Sequence, residues 1–227
     1  GPASMTAKLA IFDMDRTITV HGTFTPFLSR IVKRHPGRLV HVPAIVAAAV
    51  AYKLKQLSRK ELKEVMLRRI VAGVPAADIA DAVAAFVSAW IPGRCRPGAL
   101  QAIAAHREAG DLVMLATASN DLYVRAIADK LGADQVVATA TELAADGTVT
   151  GRIPGENCYG EAKLVMVKAA IAAAGLHDRP TVFYSDHHTD LPCLRWAGVG
   201  VAVNPNARLA KAARAEGFRI VDWGRPG

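Results

Sequence analysis

The chain has 227 residues, of which 52% are hydrophobic and 21% charged, enough apolar material for a real core and a balance that excludes a disordered chain. Its formal net charge is +8 and its pI is near 9.7; such a surface suits nucleic acid, an anionic membrane or an anionic substrate, and composition does not choose among them. The three cysteines, Cys95, Cys158 and Cys193, are odd in number and widely spaced, which excludes a zinc pattern or a disulfide framework and points to a reducing, cytoplasmic compartment.

Gly1–Ser4 ahead of Met5 reads as a cloning scar, and no signal-peptide pattern follows Met5. The run from Leu9 to Phe12 is apolar and reads as a buried parallel strand. It ends in Asp13, Asp15 and Thr17, each two positions from the last. Residues 18 to about 98 carry helical signals and no strong strand signal. Helices are expected from Pro26 to Val32 and from Pro43 to Leu54. Ser58 and Glu61 form a capping-box pattern that opens a helix to about Ala72. Another helix is expected from Pro75 to Trp90, with Ile79, Val83, Phe86, Val87 and Trp90 at helical spacing. Pro92-Gly93 and Pro97-Gly98 punctuate the return.

The chain then alternates. Helices are predicted at Ala99–Ala109, Asp121–Leu131, Glu161–Ala174 and Ala207–Glu216. Strands are predicted at Leu112–Thr117, Gln135–Thr139, Thr181–Ser185, Val199–Val203 and Phe218–Val221. Thr141 to Ile153, with Asp146-Gly147 at its middle, reads as a hairpin. This order implies an α/β fold, a doubly wound, Rossmann-like parallel sheet. Its core would comprise residues 5–17 and 99–227, with residues 18–98 as an all-helical cap inserted after the first strand. The apolar run from Val42 to Tyr52 is too short to span a bilayer, which takes roughly 20 residues. It reads first as a buried cap helix. The alternative is a lipid-facing surface, since Lys33, Arg34 and Arg38 precede it and Lys53, Lys55, Arg59 and Lys60 follow.

Four features fall at strand ends or just beyond: Asp13-x-Asp15-x-Thr17; Thr117 within Leu115-Ala-Thr-Ala-Ser-Asn120; Lys163 near a helix start; and Asp186 with Asp190, four apart. Parallel strands bring their carboxyl ends to one edge, so these groups would converge where open α/β sheets bind ligands. Carboxylates without a His or Cys cluster suit Mg²⁺. Lysine and hydroxyls suit phosphate oxygens. A carboxylate nucleophile beside a metal suits phosphoryl transfer.

This four-part pattern resembles the haloacid dehalogenase-type phosphatases, and the helical insert after the first motif resembles their phosphoserine-phosphatase-like branch. The resemblance implies Asp13 as the nucleophile that takes the phosphoryl group and Asp15 as the acid/base. It implies Thr117 on a phosphate oxygen and Lys163 offsetting negative charge. Mg²⁺ would be held by Asp13, Asp186 and the Asp15 backbone carbonyl, with Asp190 supporting the metal or Lys163. Arg16 departs from the pattern, standing where many members carry Gly or a small residue. His187 and His188 read as loop residues rather than ligands.

The expected partner is a phosphorylated small molecule or a lipid head-group phosphate. From Arg16 to Lys60 there is no Asp or Glu, which weighs against an ammonium-bearing substrate such as phosphoserine. Phe24-Thr-Pro-Phe-Leu28 and Val42-Pro43 look more loosely like the phosphatidylglycerophosphate phosphatases, which implies peripheral contact with an anionic membrane. A catalytically silent binding module is a further alternative. Nucleic acid is not expected, with aromatic residues at 6% and no helix-turn-helix signature. The sequence does not specify the oligomeric state.

Overall fold

A computed structural model describes residues 6–227; Gly1–Ser4 and Met5 lie outside the described residues. Six parallel strands form one sheet: β1 (Leu9–Phe12), β2 (Leu112–Asn120), β3 (Gln135–Thr139), β4 (Thr181–Ser185), β5 (Val199–Val203) and β6 (Arg219–Val221), in the order β3-β2-β1-β4-β5-β6. The order reverses at β1, which pairs with β2 on one side and β4 on the other. The crevice beyond the carboxyl ends of β1, β2 and β4 is therefore the place where this topology binds ligands.

Both faces of the sheet are covered, which explains the unbroken apolar runs. Along β1, Ala10 and Phe12 join one buried cluster and Leu9 and Ile11 the other. Helices α5 (Pro97–Glu108), α6 (Asp121–Leu131), α7 (Glu161–Ala173) and α9 (Ala207–Glu216) connect the strands. The short helix α8 (Leu191–Trp196) lies after Asp190 with Pro192 in its first turn; at six residues it is below what periodicity can detect.

The helical insert lies between β1 and β2. It contains α1 (Phe24–Arg34), α2 (Val42–Lys53), α3 (Arg59–Ile70) and α4 (Ala76–Ala85). Its apolar residues share a continuous cluster with Phe12 and Tyr184 of the sheet. Tyr123 of α6 is the joint. Its ring lies 4.6 Å from that of Phe27 and 5.5 Å from that of Phe86, and all three side chains are fully buried. The helix predicted to run through Trp90 is regular only to Ala85. It then widens into a π-turn over Phe86–Trp90, where the rings of Phe86 and Trp90 stack at 5.0 Å.

The capping box on α3 is complete: Glu61 N–H donates to Ser58 Oγ at 3.1 Å, and Ser58 N–H to Glu61 Oε1 at 3.0 Å. Ser58→Ala removes the cap and lowers stability by about 1 kcal/mol, measurable by urea unfolding. An unchanged midpoint would show that tertiary packing alone holds this helix end.

Thr141–Ile153 forms the expected hairpin in short, irregular form, with Asp146-Gly147 in its turn: Leu143 bridges Val149 antiparallel, Glu142 N–H donates to Arg152 O and Thr150 N–H to Glu142 O, both at 3.1 Å, and Ala144 N–H to Thr148 O at 2.7 Å. The hairpin docks on the insert. Gly73 N–H donates to Val149 O at 3.1 Å, and Ile153 N–H to Glu64 Oε2 at 3.0 Å. Gly151, at φ +95°, lies so close to Arg68 that a Cβ would stand 2.8 Å from its Cα. The reading of α2 as a buried cap helix is corrected: only its Ala48 is buried. Leu39, Val40, Val42, Val46, Val50 and Leu54 are between 42% and 75% exposed. A run of Val and Ala gives no polar face by which to orient the helix, so its sequence reads as core. None of the described helices is long and apolar enough to cross a membrane.

Candidate active site

Asp13 follows directly on β1 and continues its ladder, its N–H donating to Tyr184 O at 2.9 Å. Lys163, in the first turn of α7, places Nζ 3.0 Å from Asp13 Oδ1 and 3.1 Å from Asp190 Oδ2. Asp190 Oδ1 is also 3.0 Å from Nζ, but outside hydrogen-bonding direction. Ser185 Oγ donates to Asp190 Oδ2 at 2.7 Å. The structure thus places Asp190 on Lys163.

Thr17 ties the loop after β1 to the loop after β4. Its Oγ1 accepts from Asp186 N–H at 3.0 Å and lies 3.0 Å from both Asp13 Oδ2 and Asp186 Oδ1. A hydroxyl has one proton, so it serves one of these carboxylates at a time. Burial pushes the Asp13 carboxyl well above the usual range; Lys163 opposes this, and Asp190, Asp186 and Asp15 add to it. Asp186 is also raised by burial, against hydrogen bonds that favour its charged form. For Lys163, burial alone would lower the pKa, but Asp13 and Asp190 hold it well above the ordinary lysine value. Two carboxylates, Asp13 and Asp190, meet on one buried lysine.

Asp15 turns the other way. Its Oδ1 accepts from Thr23 N–H at 2.8 Å and Thr23 Oγ1 at 2.6 Å. Its Oδ2 accepts from Ser119 Oγ at 2.5 Å and Thr117 Oγ1 at 3.2 Å. Thr23 Oγ1 in turn lies 2.8 Å from Tyr123 Oη. Asp15 is thereby oriented by both the insert and the core. β2 runs past Thr117 to Asn120, with a register shift against β3 between Ala116 and Asn120. As a result Ala118, Ser119 and Asn120 line the cavity and Thr117, fully buried, does not. Ser119 was legible only as one more hydroxyl in Thr117-Ala-Ser119.

These groups open into a cavity of about 700 Å³, roofed by Ile45 and Ala49 of α2 and by Arg59, Leu62, Lys63 and Met66 of α3. Arg16 stands at its edge with φ +64°, a left-handed conformation that glycine adopts without steric cost. That explains the glycine common at this place in the resembling family. His187 also lines the cavity, its Nδ1 bonded to Thr189 Oγ1 at 2.8 Å, while His188 Nδ1 bonds Asn206 Nδ2 at 2.8 Å. Cys158 is fully buried and its thiol is pushed up to about 11 by burial, a packed rather than reactive cysteine.

Lys63 carries no sequence signal beyond its place on a cap helix. Its Nζ donates to Ala118 O at 2.6 Å and Asn157 Oδ1 at 2.7 Å. Burial pushes its pKa down to about 8, with Asp15 opposing.

Residues 10–195 match the family model of haloacid dehalogenase-like hydrolases. The chain is 30% identical over 227 residues to the phosphoserine phosphatase SerB1 of Mycobacterium tuberculosis, covering 98% of this chain and 72% of that protein. It is 31% identical over 186 residues to the protein CicA of Caulobacter vibrioides, covering 82% of this chain and 81% of that one. Its fold is similar to a crystal structure of a Bordetella pertussis protein of unknown function, with TM-score 0.85 at 28% identity, over 96% of this chain and all of that one. With the Asp13, Lys163 and Asp186 cluster at the switch point of its sheet, the chain belongs to the haloacid dehalogenase-like hydrolases, in their phosphoserine-phosphatase-like branch.

Proposed function

We propose that this protein is a Mg²⁺-dependent phosphomonoester hydrolase that works through an aspartyl-phosphate on Asp13. The observation that carries the reading is the pairing of two carboxylates with opposite surroundings: Asp13 buried against Lys163, and Asp15 held away from it by Thr23 and Ser119. An Asp13 oxygen attacks phosphorus, and the ester oxygen leaves with a proton from Asp15. Water then attacks phosphorus, Asp15 takes its proton, and the bond to Asp13 breaks. Lys163 holds Asp13 in place and offsets charge as it develops. Ser119, with Thr117 beneath it, fixes the Asp15 rotamer, and Ser119 is the better placed of the two to meet a phosphate oxygen.

The residues present fit a magnesium ion. Among the described residues no three His, Cys, Asp or Glu side chains gather around one point. Mg²⁺ does not need such a cage, because it binds through one or two carboxylates and keeps several waters. Asp13 and Asp186, both raised by burial and sharing one hydroxyl, are the carboxylates that would hold it, with the Asp15 backbone carbonyl. When bound, the ion supplies positive charge beside the phosphoryl oxygens. The expected result is phosphate release from p-nitrophenyl phosphate that EDTA abolishes and added Mg²⁺ restores. No release at saturating Mg²⁺ would favour a binding module.

The lipid head-group version of this reading is supported by α2. Val42, Val46, Val50 and Leu54 form an exposed row at helical spacing, with Lys53 and Lys55 at its end, the combination that suits an anionic interface. Arg38 is set aside, since it donates to Arg69 O and Ala72 O within the insert. The protein is expected to sediment with phosphatidylglycerol vesicles at low salt, and V46E/V50E to weaken this about tenfold or more. Equal partitioning of the two proteins would remove the lipid version.

A further inference from the structure

We infer that the substrate of this site carries a second anionic group beside its phosphomonoester and carries no ammonium group. The inference rests on the phosphatase reading and concerns what α3 contributes to the same cavity.

Lys63 reaches from α3 to the carboxyl end of β2. Both of its hydrogen-bond acceptors, Ala118 O and Asn157 Oδ1, are neutral. Asn157 is itself fixed from beneath by Thr139 Oγ1 at 3.0 Å, so the ammonium is positioned rather than loose. Among the described residues Lys63 forms no salt bridge, whereas Lys163 on α7 has two carboxylates. An ammonium has three N–H donors, and the third is left for the cavity. A largely buried cation that no carboxylate contacts is destabilising; a bound anion offsets that cost.

Arg59 lies one turn earlier on the same face of α3 and also borders the cavity. Its guanidinium carbon sits 4.3 Å from the Tyr159 ring centroid, and Nη2 donates to Tyr159 Oη at 3.2 Å. It too meets no carboxylate among the described residues. Like charges four apart on a helix repel, so this pair opposes helix stability and matches a shared anion.

The insert places no carboxylate in the cavity to meet an ammonium group. Residues 16 to 60 contain no acid. The next two acids turn away: Glu61 back to Ser58 N–H, and Glu64 to Ile153 N–H. The carboxylates that line the cavity are Asp13, Asp15, Asp186 and Asp190, all occupied with Lys163 or with hydroxyls. An amino-acid phosphate would bring its ammonium against Lys63 and Arg59. A carboxylate or second phosphate would pair with them, and both a free metabolite and a lipid phosphodiester supply that chemistry.

The test compares four phosphates at saturating Mg²⁺: phosphoserine, phosphoglycerate (the same molecule with hydroxyl for ammonium), glycerol phosphate (which lacks the second anion) and phosphatidylglycerophosphate in micelles. The expected kcat/KM is about tenfold higher for phosphoglycerate, the lipid or both than for glycerol phosphate, and phosphoglycerate exceeds phosphoserine by a similar factor. Preference between the first two tells a soluble source from a membrane one. Lys63→Met and Arg59→Gln shrink the ratio of second-anion substrate to glycerol phosphate toward one, a readout that a general loss of folded enzyme does not move. The inference is overturned if phosphoserine equals or exceeds phosphoglycerate, if no second-anion substrate beats glycerol phosphate, or if neither substitution changes the ratio. Lack of turnover on p-nitrophenyl phosphate instead fails the phosphatase reading, and this inference with it.

Discussion

Asp13→Asn lowers Mg²⁺-dependent phosphate release by at least about 10³-fold, because removing a nucleophile removes the whole covalent route. Asp15→Asn behaves differently with different leaving groups. An alkyl phosphate needs a proton on its leaving oxygen, so its turnover falls by roughly 10²- to 10⁴-fold. Nitrophenolate needs no proton to leave. With p-nitrophenyl phosphate the Asp15→Asn enzyme therefore gives a burst of nitrophenolate of about one per active site, then stalls at hydrolysis of the intermediate. Stopped-flow absorbance separates the burst from the slow phase. A lag-free but burst-free trace at the wild-type rate would deny Asp15 both roles.

Lys163→Met is expected to be the most destabilising single change at the site. Lys163 is 3% exposed and is held by Asp13 and Asp190. Removing it leaves two buried carboxylates whose repulsion nothing offsets. Breaking a buried pair in this way costs about 3–5 kcal/mol. Adding Asp13→Asn to Lys163→Met takes away one of the stranded anions and recovers part of that loss, so the two changes are non-additive. Urea unfolding of the four proteins in EDTA measures the coupling. Additive effects, or a loss under about 1 kcal/mol for Lys163→Met, would show that this lysine behaves as a solvated one.

The sheet was legible because its strands are short, mostly apolar runs between polar or turn residues, and four of the six have the predicted bounds: β1, β3, β4 and β5. Asp13, Lys163, Asp186 and Asp190 were legible through spacing, since strand ends in an α/β sheet share an edge. What stayed hidden depends on contacts that spacing does not encode. Thr117 and Ser119 differ by a register shift in β2 that arises from pairing with β3. Lys63 is set into the cavity by the docking of α3 on Ala118 and Asn157, and a lysine on a cap helix reads as solvated. The exposure of α2 follows from which neighbours the insert provides, and an Ala- and Val-rich helix looks the same whether covered or bare. Arg16 was legible as an anomaly but not as a backbone one; its φ of +64° shows why the place favours glycine.

The lack of an acid between residues 16 and 60 was visible in the sequence, but its weight was not. Glu61 and Glu64 lie close enough on α3 to have supplied the missing carboxylate. Only the capping box and the bond to Ile153 show that both are engaged elsewhere. The chain is similar to a phosphoserine phosphatase over nearly its whole length, and the proposed second-anion site on α3 would set its substrate apart from phosphoserine.

The central claim is that the phosphoryl group passes through Asp13. Asp15→Asn enzyme mixed with p-nitrophenyl phosphate and Mg²⁺, quenched in acid and digested, is expected to yield one phosphorylated peptide, with the phosphoryl group on Asp13 by tandem mass spectrometry. A phosphoryl group on any other residue, or wild-type turnover by Asp13→Asn, would contradict it.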